Sequence, residues 1–104
     1  MEEIRFTNLK TMIDCIKEHT QNNFSYVIPH EDLRRMMCGW YCEKTKTLFL
    51  ISESSLQKSD HAAYRLALDS SLKRKIASIY LSNCSNDAEY QSLIEKINKL
   101  KAFW

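Results

Sequence analysis

The first clear pattern along the chain is helical and covers residues 8–20. Apolar residues recur there at intervals of three and four, which places them on one side of a helix. Thr7 precedes the stretch and is a suitable cap for its first turn, and the polar run 21–23 ends it. The apolar residues are Leu9, Ile13 and Ile16.

The segment after this helix predicts a strand and a second, shorter helix. Residues 24–28 are rich in aromatic and β-branched side chains, which indicates a strand that Pro29 ends. Residues 30–38 follow the proline, carry acids in their first turn and precede a glycine, a pattern typical of a short helix. The buried side of that helix is expected to consist of Leu33, Met36 and Met37.

Strands are predicted most clearly at residues 40–42 and 47–51, which the polar run 43–46 joins into a β-hairpin. The second strand is apolar from residue 48 without alternation, so we expect both of its faces to be covered. Near the start of the chain, Ile4 and Phe6 alternate with polar neighbours and predict a short edge strand.

Two alternatives remain open for residues 60–81. Their apolar residues fit one continuous helix, but the run 75–81 also fits a strand that follows a helix over residues 60–73. A last helix is predicted over residues 87–102. We therefore predict an α+β fold in one compact domain over residues 1–104. A small sheet of three to four strands with a central hairpin would pack against N-terminal, middle and C-terminal helices.

Composition agrees with a globular domain and excludes several classes of ligand site. Of the 104 residues, 44% are hydrophobic and 27% are charged, and the formal net charge is only +2, so disorder is not expected. Gly39 is the single glycine. Dinucleotide fingerprints, P-loops, EF-hand loops and nucleophile elbows need glycine where the backbone turns sharply or approaches a ligand, and most need several.

The distribution of charged and apolar residues predicts a cytoplasmic protein that does not enter a membrane. The acidic start, Met1 to Arg5, lacks the apolar stretch of a secretory signal. No segment approaches the ~18 apolar residues that span a bilayer. The four cysteines are accordingly expected to be free thiols in a reducing compartment.

Metal and nucleophile sites are not predicted. Cys15 and His19 are four residues apart on a helix, so both side chains could point at one ion, but free cysteines usually behave as small apolar residues of a reduced interior. Cys38 and Cys42 have the same spacing in a segment that resembles a strand, where it holds two sulfurs roughly 13 Å apart, too far to share one ion. Residues 59–61 place Ser, Asp and His side by side, but adjacent side chains diverge and cannot form a catalytic triad. We expect neither a cofactor nor an enzymatic activity.

Aromatic and arginine side chains instead indicate a surface that binds a protein. Trp, Tyr and Arg dominate the energetics of protein interfaces, because they bury large areas and keep a polar group. Trp40 is expected in the core, whereas its neighbours are better placed for exposure. The candidate partner-binding residues are Arg34, Arg35, Tyr41, Phe103 and Trp104. The leading hypothesis is a protein-binding module, an inhibitor, immunity-type or regulatory protein, whose partner is another protein or a second copy of the chain.

The alternative hypothesis is a regulator that binds nucleic acid. Its basic patch comprises Lys73, Arg74 and Lys75, with Arg65 two turns earlier if residues 60–81 form one helix. Asp69 lies between them in sequence and weakens the positive field. This sparse charge makes nucleic acid the second choice.

Overall fold

A computed structural model of the chain describes residues 1–56, 64–83 and 90–102. Its described residues form a four-stranded mixed sheet and four helices, which confirms the predicted α+β class. In chain order the elements are β1 (Glu2–Phe6), α1 (Leu9–Thr20), β2 (Val27–Asp32), β3 (Met37–Cys42), β4 (Thr47–Ser52), a 3₁₀ turn (Glu53–Ser55), α2 (residues 64–68), α3 (Lys73–Asn83) and α4 (Tyr90–Lys101).

The strand order across the sheet is β1-β4-β3-β2. Strands β2, β3 and β4 form an antiparallel meander, as short hairpin loops dictate, and β1 joins the far side of β4 in parallel. The predicted hairpin of residues 40–42 and 47–51 is therefore the centre of the sheet, although its first strand begins three residues earlier, at Met37. The predicted edge strand at Ile4 and Phe6 is confirmed as β1.

Apolar side chains cover both faces of the two central strands, β3 and β4. On the first face, Trp40 and Phe49 join side chains from all four helices in the main core. On the second face, Leu48 and Leu50 pack with Met37 in a smaller cluster. Residues 48–51 are each at most 2% exposed, which confirms the prediction made from their unbroken apolar run.

Helix α1 ends where predicted, at Thr20, but begins one residue later than predicted and has a different cap. Asn8, and not Thr7, precedes the first turn, and its Oδ1 accepts a hydrogen bond from the Thr11 amide at 3.0 Å. Both residues are good caps, so sequence alone did not separate them. At the other end, Gln21 adopts a left-handed backbone (φ 53°) and its amide donates to the Glu18 carbonyl, which ends the helix within the predicted run 21–23.

The strand predicted to end at Pro29 instead runs through it, from Val27 to Asp32. An edge strand tolerates proline where the missing N–H faces away from the neighbouring strand. The Glu43 amide donates to the Tyr26 carbonyl at 2.8 Å. Successive residues of a strand direct their backbone groups to opposite sides, so the backbone nitrogen of Pro29, three residues after Tyr26, points away from β3. Proline therefore leaves the ladder between β2 and β3 intact.

The helix predicted over residues 30–38 is wrong. This segment is the end of β2, a four-residue turn and the start of β3, because pairing with β3 satisfies the backbone groups that a short helix would leave open. Met37 is buried as expected, but it packs on the second face of the sheet. Leu33 and Met36, which were expected to be buried, are 70% and 63% exposed.

The alternatives for residues 60–81 are resolved where the structure describes them. Residues 75–81 belong to α3 and not to a strand. The single long helix is not formed either, because residues 69–72 turn between α2 and α3. Ser70 stabilises that turn, since its Oγ accepts a hydrogen bond from the Leu72 amide at 2.9 Å. The last helix is confirmed over Tyr90–Lys101, and residues 87–89 lie outside the described part.

Trp40 is fully buried, as predicted, and stacks against two tyrosines of the helical layer. Its ring centroid lies 4.9 Å from that of Tyr64 and 5.0 Å from that of Tyr80. These rings anchor α2 and α3 to the sheet. No helix among residues 1–56, 64–83 and 90–102 is long and apolar enough to cross a membrane.

Candidate functional site

The most distinctive surface is the loop between β2 and β3, residues 33–36, which we call the hairpin tip. It follows Asp32, whose Oδ1 accepts a hydrogen bond from the Arg35 amide at 3.2 Å, an interaction typical of aspartate at a turn. Met36 closes the tip with a left-handed backbone (φ 50°), and its carbonyl accepts from the Glu53 amide at 2.9 Å. A hydrogen bond to a side chain at one end and a backbone hydrogen bond at the other thus fix both ends of the tip.

Arg35 fixes the tip a second time, through its guanidinium. Its Nε lies 2.6 Å from Asp32 Oδ2, and its Nη1 and Nη2 lie 3.0 and 2.7 Å from the two carboxylate oxygens of Glu3. Hydrogen bonds from Arg35 are the largest cause that lowers the pKa of both Glu3 and Asp32 below the ordinary values for such carboxyls. The same contacts raise the pKa of Arg35, so the cluster stays ionised at neutral pH.

The remaining side chains of the tip project into solvent. Leu33 and Met36 are, with Met1, the most exposed large hydrophobic residues in the described part of the chain. Arg34 is exposed, and its side chain has no ion pair with another described residue. The tip therefore presents two apolar side chains and one free cation on a rigid support.

The second hairpin of the sheet shows that these apolar residues are not needed for the turn. Residues 43–46 join β3 to β4 with the same loop length, and their last residue, Lys46, also has a left-handed backbone (φ 56°). That loop is entirely polar. The two loops have the same length and both end in a left-handed residue, but their surface chemistry differs. The formation of the turn therefore does not explain why Leu33 and Met36 are apolar.

The partner-binding residues predicted from sequence are only partly brought together. Arg34 and Arg35 both lie in the tip, but Arg35 is held by carboxylates and Arg34 alone is available. Tyr41 is half-buried in the second-face cluster, five residues further along β3 and thus roughly 16 Å from Met36. Phe103 and Trp104 lie outside the described residues.

The basic residues of the alternative hypothesis fall into two groups. Lys73, Arg74 and Lys75 begin α3 and, together with Ile28, line an open groove of about 570 Å³. Arg65 lies on α2, so the continuous basic stripe that one long helix would have given is not formed.

Two of these four cations are neutralised by carboxylates. Arg65 Nη2 lies 2.9 Å from Glu31 Oε1, and Arg74 Nη1 lies 2.6 Å from Glu43 Oε1. The hydrogen bond from Arg74 is the largest cause that lowers the pKa of Glu43. Lys73 and Lys75 have no ion pair with a described residue, which leaves two free cations beside the groove.

A smaller pocket of about 230 Å³ lies where α1 ends against the 43–46 loop, and His19, Tyr26 and Cys42 contribute to its wall. His19 Nε2 is hydrogen-bonded to Thr45 Oγ1 at 2.7 Å. Cys15 is half-buried, and burial is the main cause that raises the pKa of its thiol. Among the described residues, no group of three or more His, Cys, Asp or Glu side chains could hold a metal ion, and Cys84 lies outside them.

Sequence reasoning missed Leu33 and Met36 because it assigned them to the buried side of a helix. The signal that favours the hairpin is the aspartate at position 32, since Asp commonly starts a turn by accepting from the backbone two or three residues later. The proline at position 29 obscured this signal.

In comparisons with protein-family models, with curated proteins and with solved structures, none matched this chain.

Proposed function

We propose that this chain is a protein-binding module, an inhibitor or regulatory protein, whose hairpin tip enters a cleft of another protein. Leu33 and Met36 would fill apolar pockets in that cleft, and Arg34 would pair with a carboxylate at its rim. A protruding loop suits insertion better than it suits a flat contact. Met and Arg are both enriched at the centres of protein interfaces.

One observation carries this proposal, the contrast between the two hairpin loops. The 43–46 loop forms with polar residues only, whereas the tip exposes 70% of Leu33 and 63% of Met36. Exposed apolar side chains contribute little to stability, and such departures from local rules concentrate at functional positions. The rigid support from Arg35 favours binding as well, because little conformational freedom is lost when the tip docks.

The experiment is a comparative affinity capture from the source lysate. The tagged chain and the double variant Leu33→Glu/Met36→Lys, which gives the tip the residue types found at Glu43 and Lys46, are compared by quantitative mass spectrometry. A stoichiometric protein that the parent captures and the variant loses supports the proposal. A control variant, Lys44→Glu in the polar loop, must retain it. If the tip variant captures the same proteins as the parent, the tip is not the binding surface.

Nucleic-acid binding remains the second candidate, because Lys73 and Lys75, which have no ion pair with a described residue, lie beside a groove of about 570 Å³. Phosphate contacts release counterions, so the affinity should fall steeply with salt. Fluorescence anisotropy with labelled single- and double-stranded DNA and RNA over a salt series tests this directly. The double variant Lys73→Glu/Lys75→Glu should abolish binding, whereas the tip variant should not affect it. Absence of binding at low salt removes this candidate.

A further inference from the structure

Strand β1 has an outer edge that no other described strand covers. It pairs with β4 on its inner side only, in parallel, and the Glu2 amide donates to the Lys46 carbonyl at 3.0 Å. Alternation along a parallel ladder then directs the backbone groups of Ile4 and Phe6 inward as well. The backbone N–H and C=O groups of Glu3 and Arg5 therefore point outward, where a further strand could pair with them.

The sequence of β1 is complementary to itself in one particular register. If two copies of Glu2–Phe6 run antiparallel and are centred on Ile4, Glu3 of one copy lies directly opposite Arg5 of the other. These are the two residues whose backbone groups point outward, so each pair would exchange two hydrogen bonds. Both side chains lie on the second face of the sheet, because Glu3 is in register with Leu48 and Arg5 with Leu50. Within one chain Glu3 already accepts from Arg5 at 3.1 Å and from Arg35 at 2.7 and 3.0 Å. In the pair each Arg5 would also face the Glu3 of the other copy, and opposite charges on directly opposed residues stabilise such a pair.

The other edge of the sheet is protected against the same kind of pairing. Strand β2 carries Pro29, which cannot donate a hydrogen bond from its outward-facing nitrogen, and α3 packs beside this strand. β1 contains no proline and is short and charged. Charge on an edge strand usually prevents pairing, but the order Glu-Ile-Arg opposes like charges only when the register is shifted.

We propose that two copies of this chain associate through β1, antiparallel and centred on Ile4, to form one continuous eight-stranded sheet. Four backbone hydrogen bonds and two Glu3–Arg5 ion pairs join the copies. The interface touches the hairpin tip only where Glu3 accepts from Arg35 of its own chain, and it involves none of Leu33, Arg34 and Met36, so it can be tested independently of the proposed protein partner.

The first test is self-association of the full chain, measured by analytical ultracentrifugation from micromolar to millimolar concentration. Arg5→Pro removes an outward N–H and the guanidinium and leaves the ladder between β1 and β4 unchanged, so two of the four intermolecular hydrogen bonds and both ion pairs are lost. We expect it to weaken association by at least about tenfold. Arg5→Glu places like charges opposite each other and should weaken association further. The control Lys96→Glu makes the same charge change on an exposed position of α4 and should have no effect.

The second test locates the contact by a disulfide. The Cα atoms of the two Ile4 residues should be about 4.5 Å apart, as in a non-hydrogen-bonded pair, so Ile4→Cys should give a covalent dimer on mild oxidation. Glu2→Cys is the matched control, because the two Glu2 residues would lie roughly 13 Å apart. Peptide mapping assigns the link and separates it from links of the native cysteines. A monomer at every concentration, a dimer indifferent to Arg5→Pro, or equal linking at both positions would overturn the proposal.

Discussion

Arg35 in the hairpin tip forms a two-point ion pair with Glu3 in β1, with nitrogen–oxygen distances of 2.7 and 3.0 Å. The two residues are separated by β4 in the sheet, since the strand order is β1-β4-β3-β2. Glu3 lies on the second face of the sheet, with Leu48 and Leu50 of the smaller core cluster. The guanidinium thus links the loop between β2 and β3 to an edge strand that the loop does not touch through backbone pairing.

This ion pair predicts how stability depends on acid. Arg35 lowers the pKa of Glu3 and of Asp32 in the folded protein, so the unfolded chain binds protons more readily than the folded chain does. The stabilisation is fully present at a pH above the pKa values of these carboxyls in the unfolded chain, which are about 4. It is lost as the pH falls from there through their lower pKa values in the folded protein. We therefore expect the free energy of unfolding, measured by urea denaturation, to decrease as the pH is lowered from 5 to 3, in steps of about one unit.

The variant Arg35→Met removes the cause of this dependence and should flatten it. Lys10→Met is the control, because it removes an ion pair with Asp14 whose side chains are both more than half exposed and which should contribute little. An Arg35→Met variant whose stability falls with acid as steeply as that of the parent would show that the cluster does not set the acid dependence.

Gly39 is expected to tolerate no side chain. A Cβ atom at this position would overlap the Phe49 carbonyl oxygen and lie only 2.8 Å from the Phe49 carbonyl carbon, and both atoms belong to the backbone of β4. Backbone in the middle of a sheet cannot shift without breaking the ladder. We expect Gly39→Ala to destabilise the fold by more than about 3 kcal/mol in a denaturant titration.

Cys42→Ala provides a control for this prediction on the same strand. It removes only the sulfur of a buried residue, and we expect a cost of about 1 kcal/mol. Equal effects of the two substitutions would mean that the close approach at Gly39 does not constrain the sheet.

The sequence predicted those elements whose patterns are long or internally consistent. The apolar run at residues 48–51 correctly indicated a strand covered on both faces, and the spacing of Leu93 and Ile97 indicated the last helix. The helix prediction for residues 30–38 was wrong because a helix and a hairpin share their local sequence signals here. Proline, acids and a following glycine favour a helix start and end, whereas pairing with β3 depends on residues that are distant in sequence.

The candidate site was predictable only in part, for the same reason. Arg34 and Arg35 were correctly expected at the surface, but their roles differ because Glu3, 32 residues earlier, binds one of them. No local pattern identifies a partner at that separation. The exposure of Leu33 and Met36 depends on the hairpin itself, so an incorrect element necessarily concealed them.

Trp40 should be sensitive to truncation but less so to removal of its polar atom. Its indole Nε1 is buried and has no hydrogen-bond partner among the described residues, a state that opposes folding. Trp40→Phe removes this unpaired donor and keeps a ring against Tyr64 and Tyr80. We expect Trp40→Ala to cost about 3–5 kcal/mol and Trp40→Phe to cost clearly less, about 1–2 kcal/mol, by urea denaturation. Similar losses for both variants would indicate that the indole nitrogen is satisfied.

Substitutions of Met36 and Lys46 can distinguish effects on stability from effects on binding. Both close a four-residue hairpin loop with a left-handed backbone, at φ 50° and 56°, a conformation that costs an ordinary residue roughly 1–2 kcal/mol. Asn tolerates this region better, so Met36→Asn and Lys46→Asn should each stabilise the fold, by up to about 1 kcal/mol in thermal or urea denaturation.

The two variants should differ in binding, because only Met36 belongs to the apolar surface of the tip. We expect Met36→Asn to weaken capture of the protein partner while it stabilises the fold, and Lys46→Asn to leave capture unchanged. If Met36 served folding alone, capture of the partner would weaken only in a variant whose stability is also lower. If Met36→Asn is more stable and captures the partner as well as the parent does, the exposed methionine has no part in recognition. The proposed surface would then reduce to Leu33 and Arg34.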